Sequence, residues 1–322
     1  MISNQPLLDR YTLMCRMRAF EEACLEGFKS REIHGELHTG IGQEGVSAGL
    51  APHLRRSDGL VSTHRNHLHA LAKGVAPSVL MAEIFEKETG LCRGRGGHMH
   101  PFDPSTNFSA TGIVGASLPV ALGYAYAFAK DGRADVGVAF TGDGGANHGT
   151  FHECLNMACA WRLPLVIIIE NNSYAISVPA AAVTAPTAHW QRAAAYGARG
   201  WSVDGIDVMA VDGACGEAIA HARSGNGPAV VEAHCHRFRG HYEGDADSYR
   251  SRDERNRMRQ DGDPIAKARA ALVAAGMAVA ELDRTRQEAK TEMDEILAKV
   301  RADSMPDAST ALDYRFVEEG AA

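Results

Sequence analysis

Two apolar runs that each stop at an oxygen-rich turn constrain this chain more than any other feature. The first, Val136-Gly-Val-Ala-Phe-Thr141, gives way to Gly142-Asp143-Gly144-Gly145; the second, Pro164-Leu-Val-Ile-Ile-Ile169, gives way to Glu170-Asn171-Asn172-Ser173-Tyr174. Between them, residues 149 to 161 put Phe151, Cys154, Leu155, Ala158 and Trp161 on one helical face. An unbroken apolar strand is the kind buried on both faces of a parallel sheet, and joining two parallel strands requires a crossover of this length. Asp143 and Asn172 stand 29 residues apart, one such crossover, so both side chains reach the same edge of the sheet. That carboxyl edge is where open α/β sheets take their ligands.

The chemistry of the two turns points to a cation and a phosphate. Magnesium is commonly held by one or two protein oxygens together with phosphate oxygens and water. Asp143 offers an anionic oxygen, Asn172 an amide oxygen and Tyr174 a backbone carbonyl, while Gly142, Gly144 and Gly145 let N–H groups approach a diphosphate. The N-terminus of the helix from 149 to 161 would add a favourable dipole. The competing reading is a tight αβ turn capped by Asp143. Other phosphate motifs fail: there is no Gly-x-x-x-x-Gly-Lys-Ser/Thr, and Gly-x-Gly-x-x-Gly breaks at Asn147 and at Met99.

Further strand and helix patterns run from 199 to 223 and from 228 to 235, so right-handed crossovers predict a doubly wound, mostly parallel α/β sheet flanked by helices. Upstream, residues 6 to 29 form an amphipathic helix, a helical run ends near Leu54, Gly59 to Thr63 is a short strand, and a helix covers Pro77 to Lys87. Residues 90 to 113 form a long glycine-rich loop, and a small-residue helix running from Gly112–Ala116 to Ala129 is expected to be buried. Residues 236 to 254 are polar and glycine-punctuated, a mobile surface loop at a strand end. The pattern from 264 to 302 is helical. The expected division is a ligand-binding α/β domain over 1–260 and a helical extension with a tail over 261–322.

Composition excludes several classes. A net charge of −7 argues against a general nucleic-acid binder. Nowhere do roughly 18 apolar residues run uninterrupted, and the first residues lack a basic segment leading into an apolar one, so no membrane association and a cytoplasmic location are expected. Seven cysteines without Cys-x-x-Cys spacing fit a reducing compartment. His64, His67 and His69 lie close in sequence, but only the first two share a helical face, which leaves a zinc site and the polar lining of a pocket as the alternatives.

Several motifs together carry a resemblance. Gly142-Asp143-Gly144 with Asn171-Asn172 looks like the thiamine diphosphate motif, and Gly42-Gln43-Glu44, Arg95-Gly96-Gly97-His98-Met99-His100, Gly112-Ile113-Val114-Gly115-Ala116 and Tyr249-Arg250-x-Arg252 agree with it. From about Leu7 to Arg301 the chain resembles the alpha subunit of the thiamine-dependent component of 2-oxo acid dehydrogenase complexes. The resemblance implies that Asp143, Asn172 and the Tyr174 carbonyl hold Mg2+, that Gly144 and Gly145 line the diphosphate, and that Gly112 and Val114 offer backbone groups to the aminopyrimidine. His64 and Arg65 occupy positions where the family commonly has Tyr-Arg. Arg237 and His241 match residues near the diphosphate and the mouth of the site, and His38 matches a histidine that meets substrate.

The resemblance further implies that the cofactor's ring acts as an electron sink while His38 and His241 move protons. Either histidine can instead be read as a hydrogen-bonded structural residue. The glutamate that activates the aminopyrimidine comes in this family from a separate beta subunit, which implies an α2β2 assembly. The segments Ser62-Thr63-His64-Arg65 and His241-Tyr242-Glu243-Gly244-Asp245-Ala246 look more like acetoin dehydrogenase alpha subunits than pyruvate ones. Acetoin cleavage would pass an acetyl group to lipoamide on the lipoyl domain of a dihydrolipoyl acyltransferase. A pyruvate or branched-chain 2-oxo acid enzyme is the close alternative, and an inactive scaffold subunit of the same fold is the non-enzymatic one.

Overall fold

In a computed structural model describing residues 4–185, 188–313 and 316, seven strands form one sheet in the order β2-β3-β1-β4-β5-β9-β8. These are β1 (Gly59–Ser62), β2 (Phe102–Asp103), β3 (Phe108–Ala110), β4 (Gly137–Gly142), β5 (Leu165–Asn171), β8 (Arg199–Asp204) and β9 (Ala229–His234), while β6 (Tyr174–Ala175) and β7 (Val178–Pro179) make a small separate ribbon. Every pairing in the large sheet is parallel except β2 with β3.

The two central strands show why this is a doubly wound sheet. Val138 and Phe140 of β4, with Val166 and Ile168 of β5, enter one core. Ala139, Ile167 and Ile169 enter the other, on the opposite face. Both registers alternate because successive side chains of a strand point to opposite faces. The first core is covered by α1 (Gln5–Lys29), α2 (Glu44–Leu50), α3 (His67–Lys73), α4 (Pro77–Ile84), α8 (Val208–Arg223), α10 (Pro264–Ala274) and α11 (Val279–Ala302). The second is covered by α5 (Ser117–Lys130) and α6 (Gly149–Ala160). A short α7 (Ala180–Val183) and an exposed α9 (Arg252–Asp261) complete the set. Helix starts follow local chemistry: Asp207 accepts the N–H groups of Met209 and Ala210, Asp263 precedes Pro264, and Ser251 accepts from Glu254.

Four expectations are corrected. The helix from Pro77 stops at Ile84, because Glu86 turns into the left-handed region at φ 58°. The helix expected to be buried starts at Ser117, after Gly115 at φ 81°, and only one of its faces is covered, Val120 and Tyr126 being exposed. Trp161 does not join the buried face of α6, since it lies at the helix end and is exposed. Residues 236 to 252 are a packed segment: the buried Arg250 guanidinium donates to the Asp247 carboxylate and to the carbonyls of Arg237 and Arg239. Polarity in that stretch reflects an internal charge network, which sequence pattern does not distinguish from solvation. Among the described residues no helix is long and apolar enough to cross a membrane.

Candidate functional site

Strand topology gathers the chemistry at one edge. Thr63, His64 and Arg65 follow β1, Thr111 and Ile113 to Gly115 follow β3, Asp143 to Gly145 follow β4, Asn172 and Tyr174 follow β5, and Arg237 and His241 follow β9. These residues surround a cavity of about 260 Å³. Of the residues singled out from sequence, His64, Arg65, Val114, Asp143, Gly144, Gly145, Asn172, Tyr174, Arg237 and His241 line it, whereas Gly112 and His38 do not. His38 stands directly behind the lining, with its ring 4.6 Å from that of His64 and 4.9 Å from that of His241.

Asp143 is the electrostatic centre of the cavity. Its side chain is buried, its Oδ2 has no hydrogen-bond partner, and desolvation pushes its pKa up despite backbone N–H groups at Asp143 and Asn172 that pull it down. An orphaned buried carboxylate oxygen costs free energy, and a bound cation would supply the missing partner. Asn172 donates its Nδ2 to Oε1 of Gln43 at 3.1 Å, while the Tyr174 N–H approaches its Oδ1 at 3.4 Å. The amide orientation is thereby set with oxygen turned away from Gln43. The glycine pair leaves no room for side chains: a Cβ on Gly144 would lie 2.5 Å from Cβ of Ala175, and one on Gly145 would lie 2.3 Å from Oγ1 of Thr141. The donor set and the cradle fit a hard divalent cation with a diphosphate.

Support comes from residues that the sequence pattern did not single out. Arg192 donates to the Ala146 carbonyl and to Oδ1 of Asn147, both at 2.7 Å, and so pins the glycine-rich turn. Glu232, fully buried on β9, accepts from Nδ2 of Asn171, Nδ1 of His189 and the Trp190 N–H, which holds the end of β5. Gln43 and Glu170 also line the cavity. Glu170 lies opposite Gly142 in register, with its Oε1 3.2 Å from Nε2 of His69 in a geometry that makes no hydrogen bond. Gln43 belongs to the Gly42-Gln43-Glu44 motif, whereas Arg192 and Glu232 come from distant segments without a motif of their own.

A short turn over Gly145–Asn147 stands between the glycine cradle and α6, whose first residues lie outside the cavity lining. The three neighbouring histidines also part company. His67 pairs with buried Glu21 at 2.9 Å, and His69 bonds Ser62 and stacks on Phe140, leaving only His64 at the cavity. Burial, reinforced by Arg65 and neighbouring histidines, lowers the pKa of His64 to about 3 and that of His98 to about 3. Burial and the Arg65 and Arg237 guanidiniums bring His241 to about 4, and His38 is driven well below the usual histidine range. All four are neutral imidazoles at pH 7.

Fold and cavity together define a doubly wound α/β protein that takes its ligand at the carboxyl edge of a parallel sheet. Residues 12–309 match the dehydrogenase E1 component family, and the chain belongs to that family. It is 40% identical over 307 residues to the alpha subunit of acetoin:2,6-dichlorophenolindophenol oxidoreductase from Cupriavidus necator, covering 95% of this chain and 92% of that one. The alpha subunit of the same activity from Bacillus subtilis is 42% identical over 82% of this chain and 80% of its own. The pyruvate dehydrogenase E1 component subunit alpha of Rhizobium meliloti is 38% identical over 95% and 89%.

Proposed function

We propose that this chain is the diphosphate-binding alpha subunit of a thiamine diphosphate-dependent enzyme that cleaves acetoin and delivers the acetyl group to lipoamide. The observation that carries the reading is the buried Asp143 carboxylate with its orphaned Oδ2, set between a glycine cradle and the oriented Asn172 amide. In this reading Asp143, Asn172 and the Tyr174 carbonyl hold Mg2+, Gly144 and Gly145 give N–H groups to the diphosphate, and Arg65 and Arg237 balance its charge. Val114 supports the aminopyrimidine; Gly112 acts only through the backbone of the same turn. When bound, the cofactor supplies a carbon nucleophile and an electron sink for carbon–carbon cleavage.

His38 and His241 are proposed to hand protons to and from the substrate oxygen. Both are neutral at pH 7, so each ring keeps one N–H to donate and one lone pair to accept, with His38 buried and His64 and His241 half-buried beside it. Two carboxylates line the cavity: Asp143, which follows Gly142 at the end of β4, and Glu170, which pairs with Gly142 from β5. As the family resemblance implies, the glutamate for the aminopyrimidine is assigned to a beta subunit in an α2β2 assembly, with a lipoyl domain of an acyltransferase as acceptor.

Relatives named for acetoin and for pyruvate are almost equally similar to this chain, at 40% and 38% identity. The pyruvate reading accordingly stands as the alternative, and the acetoin-like segments around His64 and His241 favour the first. The test is to co-purify the beta subunit and assay acetoin, pyruvate and branched 2-oxo acids with an artificial electron acceptor. Acetoin turnover only in the reconstituted pair is expected. Turnover of pyruvate but not acetoin would overturn the substrate, and full activity of this chain alone would overturn the shared site.

A further inference from the structure

Three imidazoles from three separate segments converge at one wall of the cavity, His64 and His241 in its lining and His38 behind them, a cluster that no single motif in the sequence reveals. Ring nitrogens of His38, His64 and His241, one from each, all lie within 4.8 Å of one another. The rings meet at steep angles, 68° for His38 with His64, 79° for His38 with His241 and 65° for His64 with His241. Edges rather than faces are presented. Among the described residues no hydrogen bond joins the three, and the buried Nδ1 of His241 has no partner at all. Glu36 places a carboxylate oxygen 3.7 Å from Nε2 of His38. Behind His38, Nε2 of His98 lies 3.4 Å from its Nδ1, where the outer partner of a ligating histidine normally stands.

We propose that His38, His64 and His241 form a second metal site, selective for a borderline divalent transition ion such as Zn2+ and separate from the oxygen-rich position at Asp143. Three imidazoles with an open fourth position are an established zinc arrangement, and Glu36 or water completes it. Zinc–nitrogen bonds of about 2.0–2.1 Å in a tetrahedron put the nitrogens about 3.3 Å apart, so side-chain rotations of at most about 1.5 Å close the site. The imidazoles are unprotonated at neutral pH, the form that ligates.

Positive charge opposes the ion and limits its affinity. Arg65 and Arg237 both face the cluster, but each is already engaged, Arg65 with the carbonyls of Thr39 and His241, and Arg237 with the Ile176 carbonyl and the Tyr249 hydroxyl. Asp245 offsets part of their field at His241. Nitrogen ligands favour Cu2+ over Zn2+ and both over Mg2+, whereas the oxygen donors at Asp143 favour Mg2+. The two positions therefore sort ions by chemistry. An ion held there would bind the same histidines assigned above to the substrate and so would act as a reversible inhibitor.

The full chain, without cofactor or beta subunit, is titrated with Zn2+ against a chromogenic chelator, and with Co2+ followed by visible absorption. One Zn2+ per chain, an intense four-coordinate Co2+ spectrum and no displacement by millimolar Mg2+ are expected. His64→Phe and His241→Phe should each weaken Zn2+ at least about tenfold, the smallest loss usual even for outer partners. His34→Ala, at an exposed histidine elsewhere, should change nothing. His64→Asn replaces the phenylalanine variant if that one loses cooperative unfolding. Undiminished binding in the His64 and His241 variants, or a six-coordinate Co2+ spectrum, would overturn the site. Because this readout uses neither thiamine diphosphate nor turnover, its failure leaves the proposed catalysis untouched, and the reverse also holds.

Discussion

Replacing Asp143 with Asn separates a metal ligand from a turn cap by the sign of a stability change. Asn keeps an oxygen for the backbone N–H groups at Asp143 and Asn172 that the carboxylate accepts. It removes the charge at an Oδ2 that has no partner. An unpaired buried charge costs more than an unpaired neutral group, so the ligand-free variant should be more stable by on the order of 1 kcal/mol. For a chain of this size that is about 2 °C in Tm. The folded-state pKa of Asp143 is raised, so the penalty exists above that pKa and fades as pH falls through it. The gain should be larger at pH 8 than at pH 4.5. With thiamine diphosphate and Mg2+ at about one hundred times Kd, the parent should gain about 2.7 kcal/mol and the variant essentially nothing. The order of stabilities then reverses. Urea unfolding at both pH values, with and without ligands, measures all of this. A ligand-free variant that is less stable than the parent would show that the carboxylate is a structural cap.

Three more outcomes are expected. Glu83 is fully buried and accepts the N–H groups of Cys92, Gly94, Gly96 and Gly97, so Glu83→Ala should cost at least about 3 kcal/mol and expose residues 90–97 to protease; unchanged limited proteolysis would count against that anchoring role. His38→Ala should retain Mg2+-dependent cofactor binding by calorimetry while the reconstituted enzyme loses about 10²- to 10⁴-fold in kcat, and a normal rate would remove His38 from proton transfer. Buried His38 and His98 have folded pKa values below their unfolded ones, so their stabilising neutrality is complete above about pH 6.5 and is lost below it, each costing up to about 1.4 kcal/mol per pH unit. Denaturation midpoints from pH 7 to pH 5 should fall less steeply in His98→Asn; an equal slope would refute the account.

The βαβ unit was legible because two unbroken apolar strands and one helical face each carry a period that burial imposes directly. Residues 236 to 252 were not, because Arg250 and Asp247 neutralise each other inside the protein, and a buried ion pair has the same composition as a solvated loop. Trp161 misled for a related reason: helical spacing places a side chain on a face, but only the neighbouring elements determine how far along the helix that face stays covered.

By itself the sequence determined the strand–helix–strand period, the oxygen donors at its two turns and the motifs that align with the family. Those properties are local, set by side-chain spacing and backbone permissiveness. The tertiary structure alone decided which distant groups meet. It split His64 from His67 and His69, brought it against His38 and His241, set Gln43 on Asn172, and left Oδ2 of Asp143 without a partner. Those relations depend on the order in which parallel strands lie side by side. That order follows from packing two cores at once, and no segment of the chain records it.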